Sequence, residues 1–263
     1  LQFSGAAQPA TFGVYPSGGS WGGAEDPRLT RIGDRVYMFF IALEGLPQLA
    51  MTSISLDDFL DHCWKWEKPT IIVPPGTANK CGCAFPEKIN GKYAVLHRGV
   101  SFGNFHVPDI WIDYVDDIDF KTGEVLRGHH SIPLRKGYWD SIKIGAGAPP
   151  IKTKYGWLLI YFGIGDKDPS RYKIGAMLLD LKNPEKVLHR SSEPILEPDE
   201  WYENEGHKAG IAYPCGAVVK NGTLFVYYGG ADTVVCVATA NLEEFLQMLI
   251  KEKTPKMKRV SGR

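Results

Sequence analysis

No run of apolar residues in the 263-residue chain approaches the roughly 20 needed to span a bilayer. Nor is either charge in excess, since 30 basic side chains balance 30 acidic ones. The first lack argues against a membrane helix. The second removes the general field that would draw the protein to nucleic acid or to an anionic membrane, so any positive charge that matters must be local. The start, Leu1 to Ala10, has neither the charge pattern of a signal peptide nor an initiator methionine. The chain reads as soluble, with room for residues ahead of Leu1.

Cysteine is sparse and odd in number: Cys63, Cys81, Cys83, Cys215 and Cys236. A chain of this size does not need a disulfide framework, and a reducing cytoplasm is the simplest home. Cys81 and Cys83 are too close for a zinc knuckle, and no second pair completes a site, so neither a metal nor another cofactor is expected. P-loop, GxSxG and HExxH patterns are absent. His97 and His207 are isolated and read as hydrogen-bonded loop residues. Helix-like sequence is scarce too. Only Asn241 to Lys251 has helical spacing, with Leu242, Phe245, Leu246 and Leu249 on one face, Asn241 as N-cap and Glu243-Glu244 in the first turn. The basic tail over 252–263 reads as a solvated terminus.

What is present is a repeat. Gly33, Gly91, Gly156 and Gly222 each precede a buried-strand run: Val36–Ile41, Tyr93–His97, Trp157–Phe162 and Leu224–Tyr228. A second strand follows each time (Leu49–Ile54, Ile110–Val115, Ile174–Leu179, Val234–Ala240) and ends in a polar or acidic turn. Units of about 60 residues have room for four strands, which is the size of a propeller blade. A β-sandwich with coincidentally spaced hairpins is the alternative. Trp64 and Trp66 read as core, a tryptophan at a pocket mouth being the other use for such a ring.

Four segments are unusual for strand connections: Gly22–Arg28, Cys83–Ile89 running into Leu96-His97-Arg98, Ser141–Pro150 and Gly229–Thr233. Glycine and proline at this density fix loop shape and let backbone approach a ligand. All four fall at comparable edges of their repeats, so a propeller would gather them around one pocket. Acids, bases and aromatics converging there suit a polyhydroxylated ligand.

These segments carry a resemblance. GGAEDPR, FPEKINGKYAVLHR, DIWIDY, KIGAGAPPIKTKYGWLLIY, YKIGAMLLDL, EPILEP, YPCGAV and YYGGADTVVCVATA, in order over roughly 20–245, resemble the signature stretches of glycoside hydrolase family 130. The resemblance implies an all-β, five-bladed β-propeller with a short C-terminal helix. One domain over 1–263 is expected, its first blade incomplete. It also implies phosphorolysis of β-mannosides to α-mannose 1-phosphate with inversion. Inorganic phosphate is then co-substrate and nucleophile, and one acid suffices.

Carried over by residue, Asp26 matches the general acid, which protonates the glycosidic oxygen through a sugar hydroxyl. Lys80, Arg98 and Lys143 match the phosphate cradle, with Tyr172 as a hydroxyl donor. Arg28, His106, Asp109 and Asp232 are assigned to the sugar. Two departures stand out: Lys80 replaces an arginine of some relatives, and Phe162 stands where many carry a phosphate-binding histidine. The family also holds inverting β-mannosidases that use water, and Glu205 is the base such a reading would need. A third reading is a non-catalytic carbohydrate-binding propeller. The expected partners are a β-mannoside oligosaccharide and phosphate, with no nucleic acid and no membrane. A homo-oligomer is left open, because nothing in the periodicity marks an interface.

Overall fold

The computed structural model describes residues 23–100 and 109–260. Four antiparallel sheets follow one another along the chain, each ordered as its strands occur in sequence. Blade one holds β1 (Gly23–Ile32), β2 (Arg35–Glu44), β3 (Leu46–Ser55) and β4 (Thr70–Ile71), with helix α1 (Leu56–Leu60) after β3. Blade two holds β5 (Asn79–Ala84), β6 (Tyr93–Gly99), β7 (Ile110–Val115) and β8 (His130–Ile132). In blade three, β9 (Lys143–Ala146) and β10 (Ile151–Thr153) both pair with β11 (Gly156–Gly165), which is followed by β12 (Asp168–Leu179) and β13 (Val187–Arg190). Blade four holds β14 (Ala212–Lys220), β15 (Thr223–Gly230), β16 (Val234–Asn241) and β17 (Lys258–Arg259), with helix α2 (Leu242–Ile250) after β16.

The sequence repeat is thus a structural one. Gly33, Gly91, Gly156 and Gly222 stand at or just before the second strand of the blade hairpin, with φ of 61°, 85°, 144° and 74°. That is left-handed space a side chain resists, and it explains why glycine recurs there. α2 forms as expected, the Asn241 side chain accepting from the Glu244 backbone N–H at 3.0 Å.

Three apolar clusters lie between successive sheets. Phe39, Leu49 and Met51 of blade one meet Val95 and Val115 of blade two. Phe85, Leu96 and Ile112 of blade two meet Trp157, Leu159 and Tyr161 of blade three. Leu158, Ile160 and Ile174 meet Leu224, Val226 and Tyr228, with Phe245, Leu246 and Leu249 of α2 completing the layer. β11 faces a neighbour on both sides, which is why its sequence is continuously apolar instead of alternating. Each large side chain buried there contributes about 1.5–3 kcal/mol. Among the described residues no such cluster joins blade four to blade one.

Three expectations are corrected. The described residues make four blades where five were expected: each of the four turn glycines leads into an inner strand of one sheet, and the long described strands are all used by these four sheets. The tail does not simply run into solvent, because β17 pairs with β16 and Arg259 forms an ion pair with the fully buried Glu203 at 2.9 Å. Trp64 also lies outside the core at 59% exposure, its ring against those of Phe59 and His62. No helix among the described residues is long and apolar enough to cross a membrane.

Candidate active site

β1 carries a bulge between Glu25 and Arg28. Pro27 cannot donate to the ladder, and Asp26 takes φ +50°, a conformation that aspartate tolerates better than most residues. The distortion sets the carboxylate against blade four, where the Tyr213 hydroxyl donates to Oδ2 at 3.1 Å. Arg28, only 1% exposed, donates through Nε to the Gly147 carbonyl at 2.8 Å, through Nη1 to the Asp26 carbonyl at 3.1 Å and through Nη2 to the Tyr213 hydroxyl at 3.2 Å. It braces blades one, three and four. Burial alone would lower its pKa, but the electrostatic pull of the Tyr213 oxygen and the Asp26 carboxylate outweighs that and raises it, so the guanidinium stays charged.

β5 is bulged in the same way between Lys80 and Cys83, with Cys81 at φ +62°. Lys80 and Arg98 are direct cross-strand partners and share a face of the sheet. Lys80 Nζ lies 3.3 Å from Glu25 Oε2, both side chains being largely buried. Arg98, 7% exposed, gives Nη1 to the adjacent Gly99 carbonyl at 3.2 Å, while its buried Nε has no hydrogen-bond partner.

From the start of β9, Lys143 Nζ donates to the Tyr172 hydroxyl at 2.8 Å. Burial, reinforced by Arg98, Lys208 and Lys80, pulls the Lys143 ammonium down to about 8, the Cys81 thiol opposing. Burial pushes the Tyr172 phenol up to about 12, so it keeps its proton. With Lys143 donating to its oxygen, that proton is free to be given to a ligand. Phe162 packs its ring 5.5 Å from Tyr172 and 4.9 Å from Tyr213, forming an apolar floor under both hydroxyls. A Cβ on Gly145 would fall 2.3 Å from that ring, so glycine is required at this point in the KIGAG stretch.

Asp232 sits in the turn between β15 and β16 at φ +49°. Burial raises its carboxyl, Lys208 pulls it back, Asp26 repels it, His207 pulls it back further and Glu25 adds repulsion. The structure therefore brings Asp26, Arg28, Lys80, Arg98, Lys143, Tyr172 and Asp232 to one end of the blades. Asp109 is held differently: its Oδ1 accepts from the Leu134 backbone N–H at 3.1 Å, beyond β8. Glu205 is exposed on the loop before β14, its N–H bonded to the Trp201 carbonyl at 2.8 Å. His106 lies outside the described residues.

Four participants escaped sequence reasoning. Tyr213, Cys81 and Glu25 lie inside or beside the quoted stretches, but only the fold reveals that Tyr213 reaches across to Asp26. Cys81 Sγ lies 3.6 Å from the Tyr213 hydroxyl. Lys208, whose Nζ is 4.7 Å from the Tyr172 ring centroid, sits in a loop with no motif to announce it.

Comparison with known proteins adds a family to this geometry. The family described as β-1,4-mannooligosaccharide phosphorylase, of the glycoside hydrolase family 130 type, matches residues 9–251. The chain is 40% identical to a 1,2-β-oligomannan phosphorylase of a Thermoanaerobacter species over 84% of its own length and 69% of that protein's. It is 38% identical to a β-1,2-mannobiose phosphorylase of the same source, covering 93% of this chain and 74% of the relative. Among solved structures, the β-1,2-mannobiose phosphorylase of Listeria innocua with bound β-1,2-mannobiose superposes with a TM-score of 0.73 at 37% identity. That match covers 86% of this chain and 60% of the other.

Proposed function

The chain belongs to glycoside hydrolase family 130, and from that premise we propose that it is a glycoside phosphorylase cleaving β-mannosides with inorganic phosphate. In this reading a phosphate oxygen attacks C1 of the terminal mannosyl unit from the face opposite the leaving sugar. The C1–O glycosidic bond breaks, and Asp26 supplies the proton to the departing oxygen through a sugar hydroxyl. The products are α-mannose 1-phosphate and a shortened saccharide.

The observation that carries the reading is a cationic set short of an anion. Arg98 keeps a buried Nε without an acceptor, beside a Lys143 whose charge is disfavoured by burial and by neighbouring cations. A buried donor without an acceptor costs about 1–3 kcal/mol, so such an arrangement suits a site that is completed by its ligand. Arg98 can grip phosphate in bidentate fashion while the lysines act as point charges, and Tyr172 donates its hydroxyl. No organic cofactor or metal enters this chemistry.

Phe162 favours a second reading, a hydrolase, because an apolar ring there gives phosphate no hydrogen bond. Glu205 is the base that reading requires. β-1,2-linked mannosides are the first substrates to test, on the strength of the relatives' names, and a cytoplasmic site of action accords with five free cysteines. The test is release of sugar from β-1,2- and β-1,4-mannobiose with and without phosphate. Turnover only with phosphate supports phosphorolysis, and free mannose in both buffers moves the assignment to hydrolase.

A further inference from the structure

We propose that Lys208 is a fourth cationic ligand of the phosphate, closing the site from the side of blade four; this rests on the phosphorylase reading above. Tyr172 has two ammonium groups beside it. Lys143 Nζ lies 5.0 Å from the ring centroid and 2.8 Å from the hydroxyl, and Lys208 Nζ lies 4.7 Å from the same centroid. Like charges brought to one ring repel unless an anion sits between them, and the attraction of each ammonium to the ring face offsets only part of that repulsion.

The loop that carries Lys208 is held in place. The His207 N–H donates to Thr233 Oγ1 at 2.8 Å, and the Lys208 N–H donates to the Ala231 carbonyl at 3.0 Å. Gly206 is packed so closely that a Cβ would fall 2.4 Å from Thr233 Oγ1 and 2.7 Å from the Ala231 carbonyl oxygen. A lysine on a loop pinned at three successive residues is aimed by the backbone, whereas a solvated surface lysine needs no such anchoring. The same anchors fasten the loop to the turn carrying Asp232, so Lys208 stands between the cationic set and the turn assigned to the sugar.

The set around the candidate phosphate position then holds five basic side chains, Arg28, Lys80, Arg98, Lys143 and Lys208, against three acidic ones, Glu25, Asp26 and Asp232. The set is therefore net cationic, which suits an anionic ligand, and Lys208 adds to that excess from the side of blade four.

The test is calorimetric titration of inorganic phosphate into the wild type, Lys208→Met and Lys208→Arg, alongside steady-state kinetics. A charge-assisted hydrogen bond is worth enough for Lys208→Met to weaken phosphate binding about tenfold or more. We expect KM for phosphate to rise in parallel, kcat at saturating phosphate and KM for the mannoside to stay within about threefold, and Lys208→Arg to restore most of the affinity. Wild-type phosphate affinity in Lys208→Met overturns the role of Lys208 and leaves the phosphorylase reading standing. Failure of the wild type to bind phosphate overturns both. Should Lys208→Met fold poorly, Lys208→Gln provides the same comparison.

Discussion

The Tyr213 hydroxyl donates to Asp26 Oδ2 at 3.1 Å, and this bond joins the first strand of blade four to the first strand of blade one. The other blade junctions are apolar layers, whereas here polar groups make the contact among the described residues. Burial and the Asp26 charge raise the Tyr213 phenol well above its ordinary value, so it serves as a permanent donor. The candidate acid is thus aimed by a group more than 180 residues away in sequence.

Replacing Tyr213 with Phe keeps the ring against Phe162 and removes only the hydroxyl. Asp26 loses its donor and Arg28 an acceptor. The expected outcome is a 10- to 100-fold fall, roughly, in kcat/KM with little loss of folded structure, read from kinetics beside a thermal melt. An unchanged kcat/KM would mean that the carboxylate is oriented by something else.

Asp26 separates chemistry from conformation. Asparagine also visits left-handed space, so Asp26→Asn should hold stability within about 1 kcal/mol of wild type while turnover falls by about 10²–10⁴. Asp26→Ala should lose turnover equally and add a strain cost of about 1 kcal/mol at the same backbone position. Urea denaturation of the two variants distinguishes these effects.

Lys143 sets a pH dependence with opposite signs for binding and for stability. Its ammonium titrates near 8 in the folded protein, against 10.5 ordinarily. Between those values the unfolded chain holds more protons than the folded one, so this group's contribution to stability rises with pH. Below about 8 it is charged in both states and gives no slope. Phosphate affinity should move the other way, falling as pH climbs through 8. Phosphate titrations from pH 7 to 9.5 check this, and Lys143→Arg, which stays charged, should flatten the alkaline fall.

Much of the fold was legible because its signals are local. A turn glycine at positive φ, a β-branched run and a second strand recur four times in the sequence and again in the structure. Blade number was not legible in that way: five came from the resemblance, while the periodicity itself counted four. β17 was missed because two paired residues in a basic segment carry no alternating pattern. In the site, Asp26 and the cations stood out as charges among glycine and proline. Tyr213 and Lys208 did not, since what brings them in is packing between distant blades, and a tyrosine at a strand start or a lysine in a loop looks ordinary by itself. Arg28 shows the converse, a charge in a prominent motif whose observed bonds are all internal braces.

Arg259 gives a test of the corrected C-terminus. It neutralises Glu203, which is fully buried and also accepts from the Tyr228 hydroxyl at 2.8 Å. Arg259→Ala leaves that carboxylate without its cation and should destabilise by about 3–5 kcal/mol in urea. A solvated tail would predict almost no change.

The central claim is that phosphate, held by the Arg98 and Lys143 set, is the nucleophile. The measurement that tests it most directly is phosphorus NMR of the wild-type protein with β-1,2-mannobiose and inorganic phosphate, with Asp26→Asn as the control. The account predicts a growing α-mannose 1-phosphate resonance with the wild type and none with the variant. Free mannose accumulating with no sugar phosphate would contradict it.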